Sequence, residues 1–179
     1  MRTPAAGIEI VLAAAAFAAR KHRMQRRKDP DASPYINHPL SLAEVLVMEG
    51  RIHDHATLAA ALLHDTIEDT ETSYEELVAA FGSTIARVVM EVSDDKTLPK
   101  AERKRLQIRH AAALSRRAKL VKLADKICNL RDILESPPSG WSLRRRREYF
   151  RWAGEVIARL RGTNARLERA FDEVFKQTP

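Results

Sequence analysis

Apolar residues recur along this chain at spacings of three and four, and no segment alternates apolar with polar, so the pattern predicts helices and no sheet. The first predicted helix covers 7–23 and is rich in alanine. Charged and turn-forming residues then take over at Arg26-Arg27-Lys28-Asp29-Pro30, and Pro30, Ser33 and Pro34 mark a loop up to Asn37. Pro39 suits the first turn of a second helix over 39–49, which Gly50 closes. A third helix, 55–67, carries the run Ala59-Ala60-Ala61-Leu62-Leu63. Ser73-Tyr74-Glu75-Glu76 has the form of a capping box and opens a fourth helix that ends near Gly82. Further helices are predicted over 84–93, 99–113, 115–134, 142–161 and 164–176, with Gly140 and Gly162 between the last ones and Asn164 placed to cap the final one. With no internal repeat and no low-complexity linker, the expectation is one all-α domain over 1–179, a compact multi-helix bundle.

The 179 residues suffice for a single sizeable core. Aromatic residues are only 6% while Ala and Leu abound, which favours helix as the pattern does. A net charge of +7 suits an anionic partner, whether nucleic acid, phosphorylated metabolite or acidic membrane. Cys128 stands alone, which excludes an internal disulfide and fits a reducing compartment. The apolar run Ile8 to Ala19 is short and has its positive charges, Arg20 and Lys21, behind it, the reverse of a secretion signal. No stretch reaches the length of a membrane span. These features predict a soluble, cytoplasmic protein with no membrane partner.

Four side chains suggest a metal site. His38 lies at a loop-to-helix junction, His64 and Asp65 follow the apolar run of the third helix, and Asp125 sits inside Lys122-Leu123-Ala124-Asp125-Lys126 on a long apolar helix. Each has a plainer reading alone: a turn residue at His38, a hydrogen-bonded pair at His64-Asp65, a solvated charge pattern at Asp125 between Lys122 and Lys126. Yet Asp65 and Asp125 are costly in a core unless paired or metal-bound. If the third helix runs on, Glu68 and Asp69 fall on the same face as His64 and Asp65. That face then offers two ligands and two carboxylates able to orient or deprotonate water. Nitrogen and oxygen donors suit Mn²⁺, and equally admit Fe, Co, Ni or Zn.

The order His, His-Asp, distant Asp resembles the HD superfamily of metal-dependent phosphohydrolases. Arg27-Lys28-Asp29-Pro30, Pro34-Tyr35-Ile36-Asn37-His38-Pro39, Ala61-Leu62-Leu63-His64-Asp65-Thr66-Ile67-Glu68-Asp69-Thr70 and Lys122 to Arg131 are similar to the hydrolase domain of RelA/SpoT proteins. Asp94 to Lys100, Gly140-Trp141-Ser142, Glu148-Tyr149-Phe150 and Gly162-Thr163-Asn164 extend the likeness, which spans about Ala13 to Lys176. It is nearest to the stand-alone small alarmone hydrolases. The resemblance implies an HD-domain helical fold that binds one Mn²⁺ through His38, His64, Asp65 and Asp125, with Glu68 and Asp69 activating water. It implies hydrolysis of the 3′-pyrophosphate of the alarmone ppGpp to GDP and pyrophosphate. It also implies that Arg27, Lys28, Lys100, Asn129, Arg145 and Tyr149 line the nucleotide pocket. The synthetase domain that follows in bifunctional relatives is not expected in a chain ending at Pro179.

The expected partner is thus a small phosphorylated nucleotide. The adenosine analogue ppApp and the 2′-phosphate of NADPH remain open as substrates of the same site, and a non-catalytic nucleotide- or nucleic-acid-binding module is the remaining alternative. The run Arg144-Arg145-Arg146-Arg147 covers one helical turn and points in all directions, so no nucleic-acid stripe is expected. Trp141, Phe150, Trp152 and Phe171 are expected to pack between helices, and Cys128 to be a small buried hydrophobe.

Overall fold

The computed structural model describes residues 7–179. Its helices are α1 (Ile8–Lys21), α2 (Asn37–Met48), α3 (His55–Leu63), α4 (Thr66–Asp69), α5 (Tyr74–Phe81), α6 (Ser83–Val92), α7 (Lys100–His110), α8 (Arg116–Glu135), α9 (Leu143–Ala158) and α10 (Ala165–Phe175), with a 3-10 turn over Ala111–Ala113. No strand occurs among the described residues, so the fold is all-α. A lone antiparallel bridge, Arg26 to Pro34, closes the loop after α1.

Helix α8 is the axle. It buries Leu120, Val121, Leu123, Ala124, Ile127, Leu130 and Ile133 and packs on α2, α3, α6, α9 and α10. The apolar run of α3 is buried on every side, between α1, α2, α6 and α8. By contrast α7 buries no residue and lies across α9. Phe150 and Phe171 are buried core residues, as is Cys128, whose thiol burial pushes up to about 12.

Local signals set several ends. Asn164 accepts from the N–H groups of Arg166 and Leu167, and its own amide donates to the Gly50 carbonyl at 3.0 Å, tying α10 to the end of α2. A Cβ at Gly50 would sit 2.8 Å from the Leu46 carbonyl oxygen and 3.0 Å from Leu167, so this crossing requires glycine. Ser73 caps α5 by accepting from Glu76 N–H, but the box is half made, because the Glu76 carboxylate pairs with Lys21 instead.

Predicted boundaries move in several places, with the first helix ending at Lys21 instead of 23 and the one expected to reach 161 ending at Ala158. The second helix starts at Asn37, two residues before Pro39. The stretch 99–113 divides into α7 and the 3-10 turn. The expected 55–67 helix breaks at His64-Asp65. Thr66 Oγ1 donates to the Leu63 carbonyl at 2.7 Å and the His64 ring occupies the Ala61 carbonyl at 2.8 Å. Side chains thus take carbonyls that the next helical N–H groups would use, and α3 stops.

Candidate active site

The break places the first two functional side chains. His64 caps α3 and Asp65 opens the single turn of α4. His38 comes from the first turn of α2, and Asp125 from the middle of α8. His38, His64 and Asp65 each offer a ligand atom within 4.8 Å of the others. Asp125 Oδ1 lies 3.3 Å from His38 Nε2 and 4.0 Å from His64 Nε2. Helices α2, α3 and α8 pack on one another, which is why residues so far apart in sequence converge.

The donors fit a divalent cation on their own chemistry. His64 Nδ1 faces the Ala61 carbonyl and must carry the proton. Its buried Nε2 then has no hydrogen-bond partner among the described residues, yet lies 2.8 Å from Asp65 Oδ2. Two lone pairs face each other there, and only a proton or a cation reconciles them. A backbone carbonyl holding the far nitrogen is the usual support of a metal-ligating histidine. As the proton alternative, burial pulls the His64 imidazolium down, but the charges of Asp65 and Asp125 raise it to about 9. Burial opposes the ionised Asp125 carboxyl, yet Lys126 and His38 hold it well below the usual carboxylate range.

Glu68 and Asp69 reach the same place by another route than the one expected. With the helix broken they do not continue the α3 face; the turn of α4 carries them. They nevertheless line one cavity of about 210 Å³ together with His38, His64, Asp65 and Asp125. Glu68 Oε2 accepts the Asp94 N–H at 3.1 Å, and its other oxygen lies 3.4 Å from Arg103. Burial pushes the Glu68 carboxyl above its usual range. Asp69 accepts from Gln25 Nε2 at 2.9 Å on one oxygen and pairs with Lys96 on the other.

This floor opens outward. Arg27, Tyr35, His38, Asp69, Asn129 and Tyr149 also line an adjoining cavity of about 530 Å³, which adds Lys28, Lys100 and Trp141. A further hollow of about 610 Å³ continues past Lys100, Trp141 and Tyr149 to Arg145. All six residues expected at the nucleotide therefore border one continuous cleft. Burial and the charges of Arg145, Lys28 and Arg103 press the Lys100 ammonium down, a crowding that an anion relieves.

The HD domain family matches residues 14–160. The chain belongs to the HD-domain family. A guanosine-3′,5′-bis(diphosphate) 3′-pyrophosphohydrolase of Xenopus tropicalis, MESH1, is 58% identical to this HD domain, with 93% of each chain covered. The Homo sapiens MESH1 is 57% identical, again over 93% of both. A pyrophosphohydrolase of Aquifex aeolicus is 41% identical over 65% of this chain and 17% of its own. Among solved structures, a metazoan orthologue of SpoT described as hydrolysing ppGpp superposes with a TM-score of 0.92 and 50% identity, covering 99% and 98% of the two chains. The Listeria monocytogenes protein lmo0812 follows the same course more loosely, with a TM-score of 0.65 and 26% identity over 81% of this chain and 97% of that one.

Within the HD domain several contributors were not foreseen. Lys126, 3% exposed, donates to Asp125 Oδ2 at 2.8 Å and lies 4.4 Å from the Trp152 ring centre. Lys122, also buried, donates to the Val92 carbonyl. The reading of Asp125 as part of a solvated charge pattern fails on these two contacts; the cost of a buried carboxylate pointed to a cation nearby. Tyr35 donates to Asp65, Asn129 to Asp125 Oδ1 at 2.5 Å, and Arg27 to Asp132. Trp141 packs half-buried against the core at the cleft mouth, with Arg145 4.3 Å from its ring centre. Trp152 packs as expected, donating to the Lys104 carbonyl. The four arginines disperse: Arg144 pairs with Glu148, Arg147 reaches the Pro179 backbone oxygen, and Arg145 faces the cleft.

Proposed function

We infer that this HD domain is a metal-dependent hydrolase that removes the 3′-pyrophosphate of ppGpp, releasing GDP and pyrophosphate. The observation that carries this reading is the single cavity in which four metal-ligand candidates meet Glu68 and Asp69, open to a cleft bordered by cations. His38, His64, Asp65 and Asp125 would hold the ion, for which we propose Mn²⁺. Such an ion, when bound, lowers the pKa of water and neutralises phosphate oxygens.

The protein supplies the remainder. Water attacks the phosphorus bonded to the ribose 3′-oxygen; the bond from phosphorus to that oxygen breaks, and the 3′-oxygen leaves with the electron pair and takes up a proton. Glu68 accepts the proton of the attacking water, a task suited by a carboxyl raised through burial. Asp69, held by Gln25, orients that water. Arg27, Lys28, Lys100 and Arg145 bind phosphate oxygens, Asn129 holds Asp125 in place from the next turn of α8, and Tyr149 borders the nucleoside. Residues 1–179 act as one domain, and the lone buried Cys128 suits a cytoplasmic setting. No helix among the described residues is long and apolar enough to cross a membrane.

The test is product analysis of ppGpp incubated with purified protein and Mn²⁺, with ppApp and NADPH in parallel. GDP and pyrophosphate in equal amounts support the reading. Faster turnover of ppApp or NADPH reassigns the substrate, and no turnover of any of them overturns the hydrolase.

A further inference from the structure

His22 ends α1 and is 2% exposed, although nothing in the proposed chemistry uses it. Its Nδ1 lies 2.6 Å from Gln25 Oε1, and Gln25 Nε2 lies 2.9 Å from Asp69 Oδ2. The chemistry of one end fixes the other. An ionised carboxylate only accepts, so the Gln25 NH₂ must face Asp69, and its carbonyl oxygen must then face His22. A carbonyl oxygen also only accepts, so His22 Nδ1 must carry the proton. The buried Nε2 is left without a partner among the described residues. The same ring stacks on Tyr35, with centres 4.8 Å apart and planes 31° apart, and Tyr35 donates to Asp65.

We propose that His22 is a positioning residue for the hydrolysis, acting through Gln25 to aim the Asp69 carboxylate at the reacting water. The inference rests on Asp69 working as assigned above. Without the His22 donor, the Gln25 carbonyl has no partner, its amide is free to rotate, and Asp69 loses one of the two contacts that fix it. Lys96, the other contact, is 48% exposed and holds its end loosely. Stacking on Tyr35 is a separate service of the ring, so the two roles separate by substitution. His22→Phe keeps the ring and removes the donor. His22→Asn removes the ring and leaves a donor near the position of Nδ1.

The experiment is a mutant cycle read by kcat, KM and bound metal. His22→Phe should lower kcat about tenfold, with KM within about twofold and manganese content unchanged. His22→Asn should recover most of that loss. The double variant His22→Phe with Gln25→Ala should be no slower than Gln25→Ala alone, because both break one chain. A second reading needs no substrate. In NMR spectra the Gln25 side-chain amide protons should exchange slowly in the parent and faster in His22→Phe, and His22 should show a proton on Nδ1. Losses that multiply in the double variant, equal losses in the Phe and Asn variants, a His22→Phe kcat within about twofold of the parent, or an unprotonated Nδ1 each overturn the relay. An Asp69→Asn variant as fast as the parent overturns it too, by removing its target. If the parent turns over none of the three nucleotides, the proposed hydrolysis falls, and the NMR reading decides the relay by itself.

Discussion

The floor and the mouth of the cleft are both rich in charge, but they are built on opposite terms. At the floor the ionisable groups are buried or half-buried and paired: Asp125 with Lys126 and Asn129, Asp65 with Tyr35 and His64, Glu68 with the Asp94 backbone N–H and Arg103. At the mouth Lys28, Lys100 and Arg145 are exposed, and the latter two sit near Trp141 rather than against carboxylates. Buried groups hold their geometry through low-dielectric contacts that are strong when complete and costly when broken. Exposed cations attract anions from solution but are screened and mobile. The floor should therefore govern rate and the mouth affinity.

The harshest break of this contrast is Asp125→Ala. It removes one ligand candidate and leaves Lys126 buried without its carboxylate, a loss of roughly 3–5 kcal/mol of stability for an orphaned buried charge. Metal analysis should find the ion lost, turnover should vanish, and thermal unfolding should fall markedly. Full metal occupancy in this variant would take Asp125 out of the coordination set. Glu68→Gln comes next. It should keep its metal and lose roughly 10²–10⁴-fold in kcat, the usual contribution of a general base. The pH profile gives a further check. Burial, reinforced by the Asp65 charge against the opposing Asp94 N–H, raises the Glu68 carboxyl. A base works ionised, so the rate is present above that raised value and lost as pH falls through it. The acid limb of kcat should disappear in Glu68→Gln, and in metal-free protein the Glu68 carboxyl should titrate above the ordinary glutamate range.

At the mouth, Arg145→Ala should be milder and of another kind. Its guanidinium stacks on Trp141 and forms no ion pair among the described residues. KM should rise by about tenfold or less with kcat within about twofold, the sign of binding shared by ground and transition states. The KM of the parent should also climb with salt more steeply than that of the variant. A kcat loss as large as that of Glu68→Gln would erase the distinction between the two regions.

How much of each region is legible in the sequence follows from the same contrast. Helix periods, the Asn164 cap and the Ser73 cap are local chemistry, and each appears where the sequence puts it. The four ligand candidates are legible as a set because buried carboxylates beside histidines need a reason, and the order matches a family. The break at His64 is not, because Ala59 to Leu63 reads the same whether or not Thr66 turns back on the Leu63 carbonyl. Nor are the partners of the water-activating pair. Gln25, Lys96 and Arg103 lie 44, 27 and 35 residues from the carboxylates they touch, and no periodicity links them. Lys126 misleads in the other direction, since a lysine beside an aspartate looks like surface until the middle of α8, residues 120–128, proves buried all round.

The smallest expected effect comes from an ion pair outside the cleft. Arg117 reaches Asp54 at 2.7 Å through Nε, with the two side chains 44% and 42% exposed. Asp54 also caps α3 by accepting from Thr57. Hydrogen bonds from Arg117 and then Thr57 bring the Asp54 carboxyl down to about 2. The folded value lies below the unfolded one near 3.8, so the pair stabilises above that pH, and the benefit is lost as pH falls toward 2. Solvent screening keeps it below about 1 kcal/mol. Arg117→Ala should thus lower the melting temperature at pH 7 by no more than about 2–4 °C, with kcat unchanged, and the difference from the parent should shrink on acidification. The Thr57 contacts survive, so α3 keeps its cap and His64 its place. Lys126 and Arg117 each hold one aspartate, the first pair buried and the second half-exposed. Thermal melts of Arg117→Ala and Lys126→Met at pH 7 compare the two directly, and a loss above about 3 kcal/mol at Arg117 would mean that burial does not set the scale.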